Sequence, residues 1–192
     1  MTQDERLNFL IEVFRAEFKE YEKLCVPADR DGKRQLLRGL MNVRMPRPMS
    51  AEVLAVQDAY LRERAEEKGI IGLQDIPVIR NGLSVWQGDI TRLAVDAIVN
   101  AANSAMLGCF VPGHNCIDNC IQTYAGIQMR AECDRQMKLL KREYGQSYVQ
   151  PTAIPLLTDG YNLPAKKVVH IVGPVVTGPL TQKHRTELAA CY

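Results

Sequence analysis

The chain has 192 residues, 46% hydrophobic and 24% charged, the composition of a globular protein able to bury a sizeable core. Its 24 Lys and Arg against 22 Asp and Glu leave a formal net charge of +2, which excludes the basic footprint of a nucleic-acid-binding protein. The polar opening MTQDER carries no apolar leader and no stretch approaches bilayer length, so a cytoplasmic protein without membrane contact is expected.

Thr2 and Glu5 have the spacing of a capping box, and Leu7, Leu10, Ile11, Phe14, Phe18 and Tyr21 form one stripe. That pattern predicts an amphipathic helix over 2–24, whose apolar face packs on the chain's own core. A second helix is predicted over 33–43, with Leu36, Leu37, Leu40 and Met41 on one side. Pro46 and Pro48 bar its continuation. Ser50 then reads as the N-cap of a third helix that runs to Lys68 and stops at Gly69.

From Ile76 the pattern changes to short apolar runs. Residues 77–80 and 83–86 flank Asn81-Gly82, the signature of a hairpin that opens a sheet. Residues 95–99 read as a buried strand with Asn100-Ala-Ala-Asn103 at its C-terminal end, where open α/β sheets bind ligands. Helices over 117–125 and 127–144, split by Gly126, precede strands over 153–156 and 168–172 and a final helix over 181–192. His170 alternates with apolar neighbours in its strand and reads as a core or strand-end histidine, not a ligand. Strands alternating with helices predict an α/β layered fold with a mixed sheet.

The chemistry concentrates in the loop before residue 117. Cys109, His114 and Cys116 lie in a segment broken by Gly108, Pro112 and Gly113, free of the constraint of a helix or strand. Thiolate and imidazole are the ligands Zn²⁺ prefers, and three protein donors leave one position open, whereas a closed structural site has four. Cys120, one turn into the following helix, is a conceivable fourth donor. Reduced buried cysteines, or a nucleophilic pair of His114 with Cys109 or Cys116, are the alternatives. Three of six Cys and one of three His inside twelve residues favour a metal over a disulfide framework. Asp118 falls in the first turn of the next helix, where the dipole favours a carboxylate, so it serves either the helix start or the chemistry.

Gly88-Asp-Ile-Thr91, the run from Val95 to Asn103 and Ala125-Gly126 resemble the ADP-ribose-binding signature of macrodomains. Residues 108–119 resemble the loop of their zinc-containing microbial subgroup, and the helical N-terminal segment is similar to the extension of that subgroup. The resemblance implies a helical extension over 1–75, and over 76–192 a three-layer α/β macrodomain around a mixed central sheet. It implies a MacroD-type hydrolase that removes ADP-ribose from modified protein side chains. Asp89 would hold the adenine amino group, with Ile90 and Asn100 as further contacts in the same two segments. Asn103 would contact the distal ribose and share the catalytic role with Asp118, and Cys109, His114 and Cys116 would hold one Zn²⁺. The implied partners are ADP-ribose and an ADP-ribosylated protein. The subgroup's association with a sirtuin-type transferase points to a lipoyl carrier protein as that partner. A non-catalytic ADP-ribose reader with structural zinc, an inactive fragment, or a zinc protein of unrelated chemistry are the alternative readings. Macrodomains continue into a further strand and a second glycine-rich phosphate loop; neither is found in this sequence, so a chain short of that part is expected.

Overall fold

The computed structural model describes residues 1–192. Four helices come first: α1 (Gln3–Arg15), α2 (Lys19–Glu22), α3 (Arg30–Val43) and α4 (Ala51–Lys68). The capping box of Thr2 and Glu5 forms at the start of α1, and Leu7, Leu10, Ile11 and Phe14 are buried along one face. The single helix expected over 2–24 is broken, because α1 ends at Arg15 and Phe18 is extended at φ −144°, ψ 137°. Arg15 folds back to donate to the carbonyls of Tyr21 and Glu22, while Glu17 is drawn aside by Arg44 and Arg47. Helix α3 starts at Arg30 and not at Lys33, since the Asp29 carboxylate caps it by accepting from Gly32 N at 2.8 Å. Helix α4 has the expected Ser50 cap and Gly69 end.

Strand β1 (Ile71–Gly72) pairs in parallel with β2 (Leu93–Ala94). The larger sheet has β3 (Ala97–Ala102), β4 (Leu156–Asp159) and β5 (Lys167–Val172) in the order β3-β5-β4, one pairing parallel and one antiparallel. No hairpin opens it. Residues 77–86 form one bridge, Arg80 to Leu83, around the Asn81-Gly82 turn, and Val78 and Val85 are 67% and 78% exposed, with no face to pack on. Two strands lie further along the chain than their apolar runs indicate. The Val95 and Asp96 carbonyls accept from Lys166 and Lys167, which sets the register so that β3 begins at Ala97. Ala153 has φ +64°, a left-handed turn that a strand cannot contain, and β4 begins only at Leu156. Asn100 therefore lies inside β3, and only Asn103 follows its end.

Helices α5 (Ile117–Ala125) and α6 (Ile127–Tyr144) cover one face of this sheet through Ile98, Ile121, Met129, Cys133 and Val168. Val99 and Leu157 on the other face are exposed. Behind α5 and α6 sit α1, α3 and α4, with their own core of Leu10, Phe14, Leu37, Met41 and Tyr60, into which Ile127 of α6 also projects. Sheet, α5–α6 and N-terminal helices thus stack in that order. Helix α7 (Gln182–Ala190), capped by Thr181, ends the chain. No helix is long and apolar enough to cross a membrane.

The layers are locked where α5 meets α6. Gly126 turns the chain at φ +98°, a conformation that L side chains rarely adopt, and a Cβ there would come within 2.7 Å of Gln57 Nε2. Lacking a side chain, Gly126 cannot cap α6. Gln57 of α4 does so instead: its Oε1 accepts from Ile127 N at 3.1 Å and its Nε2 donates to Gln128 Oε1 at 2.6 Å. Gln57→Leu keeps the shape and leaves that buried N–H unpaired. It should cost about 1–3 kcal/mol, measured by urea unfolding, with a single transition retained.

Candidate active site

The loop between β3 and α5 turns at Gly108, whose φ of +78° and 2.7 Å approach to Gln122 Cγ exclude a side chain. It brings Cys109, His114 and Cys116 together, with all their donor atoms within 4.8 Å of one another. His114 Nδ1 lies 3.6 Å from Cys109 Sγ. Tetrahedral zinc, with Zn–S near 2.3 Å and Zn–N near 2.0–2.1 Å, holds sulfur and nitrogen about 3.6 Å apart. The donor set therefore fits that ion in both chemistry and spacing. A Cys–His pair alone would show the same contact, but it leaves the third donor unexplained. Cys116 is also the N-cap of α5, its Sγ accepting from Asn119 N at 3.4 Å. Burial pushes its thiol above the ordinary range, and the neighbouring Cys109 adds to the shift. Cys120 is not part of the group: its sulfur faces Arg38 Nη2 at 3.5 Å.

Asp118, in the first turn of α5, is 5% exposed. Its Oδ1 accepts from Asn100 Nδ2 at 2.8 Å and its Oδ2 from Asn103 Nδ2 at 3.3 Å. Burial raises its pKa above the usual carboxylate value, and the bonds from Asn100 and Asn103, with the Arg130 charge, oppose that rise. Asn103 also donates to Gly108 O at 3.0 Å, tying the aspartate to the root of the loop.

Behind Asp118 runs a buried chain of polar groups. The second hydrogen of Asn100 Nδ2 points to His170 Nδ1 at 3.0 Å, and His170 Nε2 lies 3.0 Å from Thr158 Oγ1. Because the amide nitrogen can only donate, His170 Nδ1 must accept, which fixes the Nε2–H tautomer with Thr158 as its acceptor. Burial lowers the His170 pKa to about 4, so the imidazole is neutral in the folded protein. His170 is thus the expected core residue and is also linked to the site. Nothing in an apolar strand pattern reveals that link. Asn100 Oδ1 is buried and bonded to no protein donor.

Asp89 and Ile90 form a separate group, hydrogen-bonded to neither cluster. Asp89 caps the short 3₁₀ turn Ile90–Arg92, accepting from Thr91 N at 3.0 Å and Thr91 Oγ1 at 2.6 Å, and its other oxygen meets Lys68 Nζ at 2.7 Å. Although burial pushes Asp89 up, the bonds from Lys68 and Thr91 outweigh it and hold the carboxyl below its ordinary value. Ile90 packs against the sheet core. Lys68, at the end of α4, also sits 3.7 Å over the Tyr124 ring of α5.

A family model described as Macro domain matches residues 99–192. A protein of Treponema medium named protein-ADP-ribose hydrolase is 48% identical over all of this chain and 73% of its own length. A Staphylococcus aureus protein (strain MRSA252) of the same name is 42% identical over 97% of this chain and 68% of its own. Among solved structures, a Trypanosoma brucei macrodomain in complex with ADP aligns over 80% of this chain and 65% of its own, with TM-score 0.51 and 24% identity, a likeness of fold.

The neutral His170 carries a pH signature. Unfolded, its imidazole takes up a proton below its ordinary value of 6.5; folded, it does so only near 4. Its contribution is therefore fully present above that upper value and is lost as pH falls toward the lower one, by up to about 3 kcal/mol. His170→Asn keeps an acceptor facing Asn100 and cannot titrate. In metal-free protein, the loss of urea stability between pH 7 and about pH 4.5 should be smaller in this variant by about 2–3 kcal/mol. Equal losses would assign the acid sensitivity to other groups.

Proposed function

Because the chain belongs to the macro domain family, and within it to the protein-ADP-ribose hydrolases, we propose that it removes ADP-ribose from modified protein side chains using Asp118 and Asn103. The observation that carries this reading is a buried carboxylate held by two asparagines and set on the same turn as a three-donor metal loop. The reaction adds water across the glycosidic or ester bond that joins the distal ribose to the modified side chain, releasing ADP-ribose and the free side chain. Asn100 and Asn103 fix both carboxylate oxygens, so Asp118 presents a defined lone pair to a ribose hydroxyl or the attacking water. Its raised pKa makes it a better proton acceptor than a solvated aspartate. The unpaired Asn100 Oδ1 supplies a buried acceptor within the same group.

Asp89 and Ile90 are the proposed base-recognition residues, one Asp89 oxygen being kept in place by the two Thr91 bonds. Cys109, His114 and Cys116 would hold Zn²⁺. An ion held by these three donors would supply Lewis acidity. An ADP-ribosylated protein, with a lipoyl carrier protein as the proposed case, is the substrate partner.

Purified protein should contain about one zinc per chain by elemental analysis, and Cys116→Ala should lose it. Asp118→Asn keeps the shape but removes the basic oxygen, replacing one of the two acceptors that face Asn100 and Asn103 by an amide nitrogen that can only donate. It should lower release of labelled ADP-ribose from a modified protein by roughly 10²–10⁴-fold. The affinity for free ADP-ribose, read by calorimetry, should change little, since the lost interaction is used mainly in the transition state. Zinc-loaded wild type that binds ADP-ribose and releases none would instead be a reader.

A further inference from the structure

We propose that α3 is the wall against which the metal loop is shaped, with Arg38 and Asn42 as positioning residues for the His114 ligand; the inference rests on the donor set proposed above. Broken by Gly and Pro, the loop has little internal order of its own. Within residues 109–115 a single backbone bond forms, His114 N to Val111 O at 3.2 Å. What holds it comes from outside, and much of that comes from one helix that the catalytic geometry does not otherwise use.

Arg38 and Asn42 are four residues apart and share a face of α3. Asn42, 1% exposed, accepts from Gly113 N at 2.9 Å through Oδ1 and donates to Thr123 Oγ1 at 2.7 Å through Nδ2. Arg38 Nη2 donates to His114 O at 2.7 Å and to Asn119 Oδ1 at 3.0 Å, and its Nη1 reaches Asn115 Oδ1 at 3.4 Å. Both bonds to the loop backbone fall on Gly113 and His114, so they set where the imidazole stands. Asn119 extends the grip, donating to Cys109 O at 3.3 Å and Val111 O at 2.9 Å. Between the two side chains, α3 runs so near the loop that a Cβ on Gly39 would sit 3.6 Å from Pro112 Cβ.

Helix α3 can bear this load because Leu37, Leu40 and Met41 anchor it in the N-terminal core. A loop left mobile until metal arrives loses affinity to the entropy of ordering it; here folding of α3 has already ordered it. Arg38 and Asn42 touch no donor atom and act only through the backbone that carries one.

The full chain should be titrated with Zn²⁺ against a chromophoric chelator, and the Co²⁺-substituted form examined by visible absorption. Arg38→Ala and Asn42→Ala should each weaken zinc by roughly 10–100-fold, the usual cost of losing an outer-shell partner. Both should alter the cobalt ligand-field bands. Arg38→Lys, which keeps one donor, should recover part of the affinity. Metal-free urea unfolding of Arg38→Ala and Arg38→Lys separates positioning from general destabilisation: Arg38→Ala leaves the buried Asn119 Oδ1 without its donor, whereas Arg38→Lys keeps a donor there and should unfold near wild type while still binding zinc more weakly. Zinc affinity within about threefold of wild type together with an unchanged cobalt spectrum would overturn the inference. Wild type that takes up no zinc would overturn the donor set first, and this inference with it.

Discussion

A carboxylate has been taken out of water at the start of α5, and much of the surrounding structure serves to keep it there. Burying an ionised Asp118 is costly unless its oxygens are bonded. Asn100 and Asn103 supply those bonds, but only if β3 is in a register that points residue 100 inward. That register is fixed by six paired positions with β5. The same strand places His170 to receive the second Asn100 hydrogen, and β4 places Thr158 behind it. The order β3-β5-β4 therefore also orders a hydrogen-bond chain. A slip of one residue would turn Asn100 to the exposed face and leave the aspartate without its stronger donor.

The opposite side of α5 is held by the N-terminal helices, and the holding groups are mostly polar. Gln57 caps α6 across the layer boundary, while Asp58 Oδ1 accepts from Gln128 Nε2 and Asn162 Nδ2, both at 2.7 Å. Apolar contacts alone would let two helix layers slide. Directional bonds to backbone groups and amides admit one alignment, and that alignment puts α3 against the loop and Lys68 beside Asp89. The helices before residue 70 are in this sense part of the site's frame, although they supply none of its proposed donor atoms.

Signals whose cause is local are the most legible in the sequence, although the Asp29 cap that starts α3 three residues before Lys33 shows that a cap outside the apolar pattern is easily passed over. Thr2, Ser50 and Gly126 mark the ends of helices because caps and left-handed turns act within a few residues. The Cys109, His114 and Cys116 group was legible because the three donors are close along the chain as well as in space. The hairpin around Asn81-Gly82 failed for the complementary reason. The turn forms its bridge, but strands need a partner and a face to cover, which a turn signal does not report. Strand β3 was displaced because an apolar run does not state its register. Gln57 left a trace that can be recognised, a polar residue inside the apolar stripe Val53, Tyr60 and Leu61. Arg38, one turn before Asn42 on a helix that also has charged exposed positions, left none, since its partners are 76 to 82 residues away.

Arg130 shows how these constraints close on one another. Its guanidinium is buried on α6 with no carboxylate bonded to it, and burial lowers its pKa to about 10, still high enough to keep the charge at neutral pH. Instead, its Nη1 donates to the carbonyls of Met41, Asn42 and Arg44 at 3.2, 2.8 and 2.7 Å. Those are carbonyls at the C-terminal end of α3, which lack helical partners and carry the negative end of its dipole. The cation thus completes the helix whose Asn42 side chain grips the loop. From the same position it lies 4.4 Å over Phe110 within that loop, and its charge opposes the upward shift of Asp118. One side chain on α6 therefore touches the helix that frames the loop and the loop itself, and bears on the carboxylate. Arg130 thus bears on both the loop and the carboxylate without a salt bridge to either, adding to the bonds from Asn100 and Asn103 that oppose the effect of burial on Asp118.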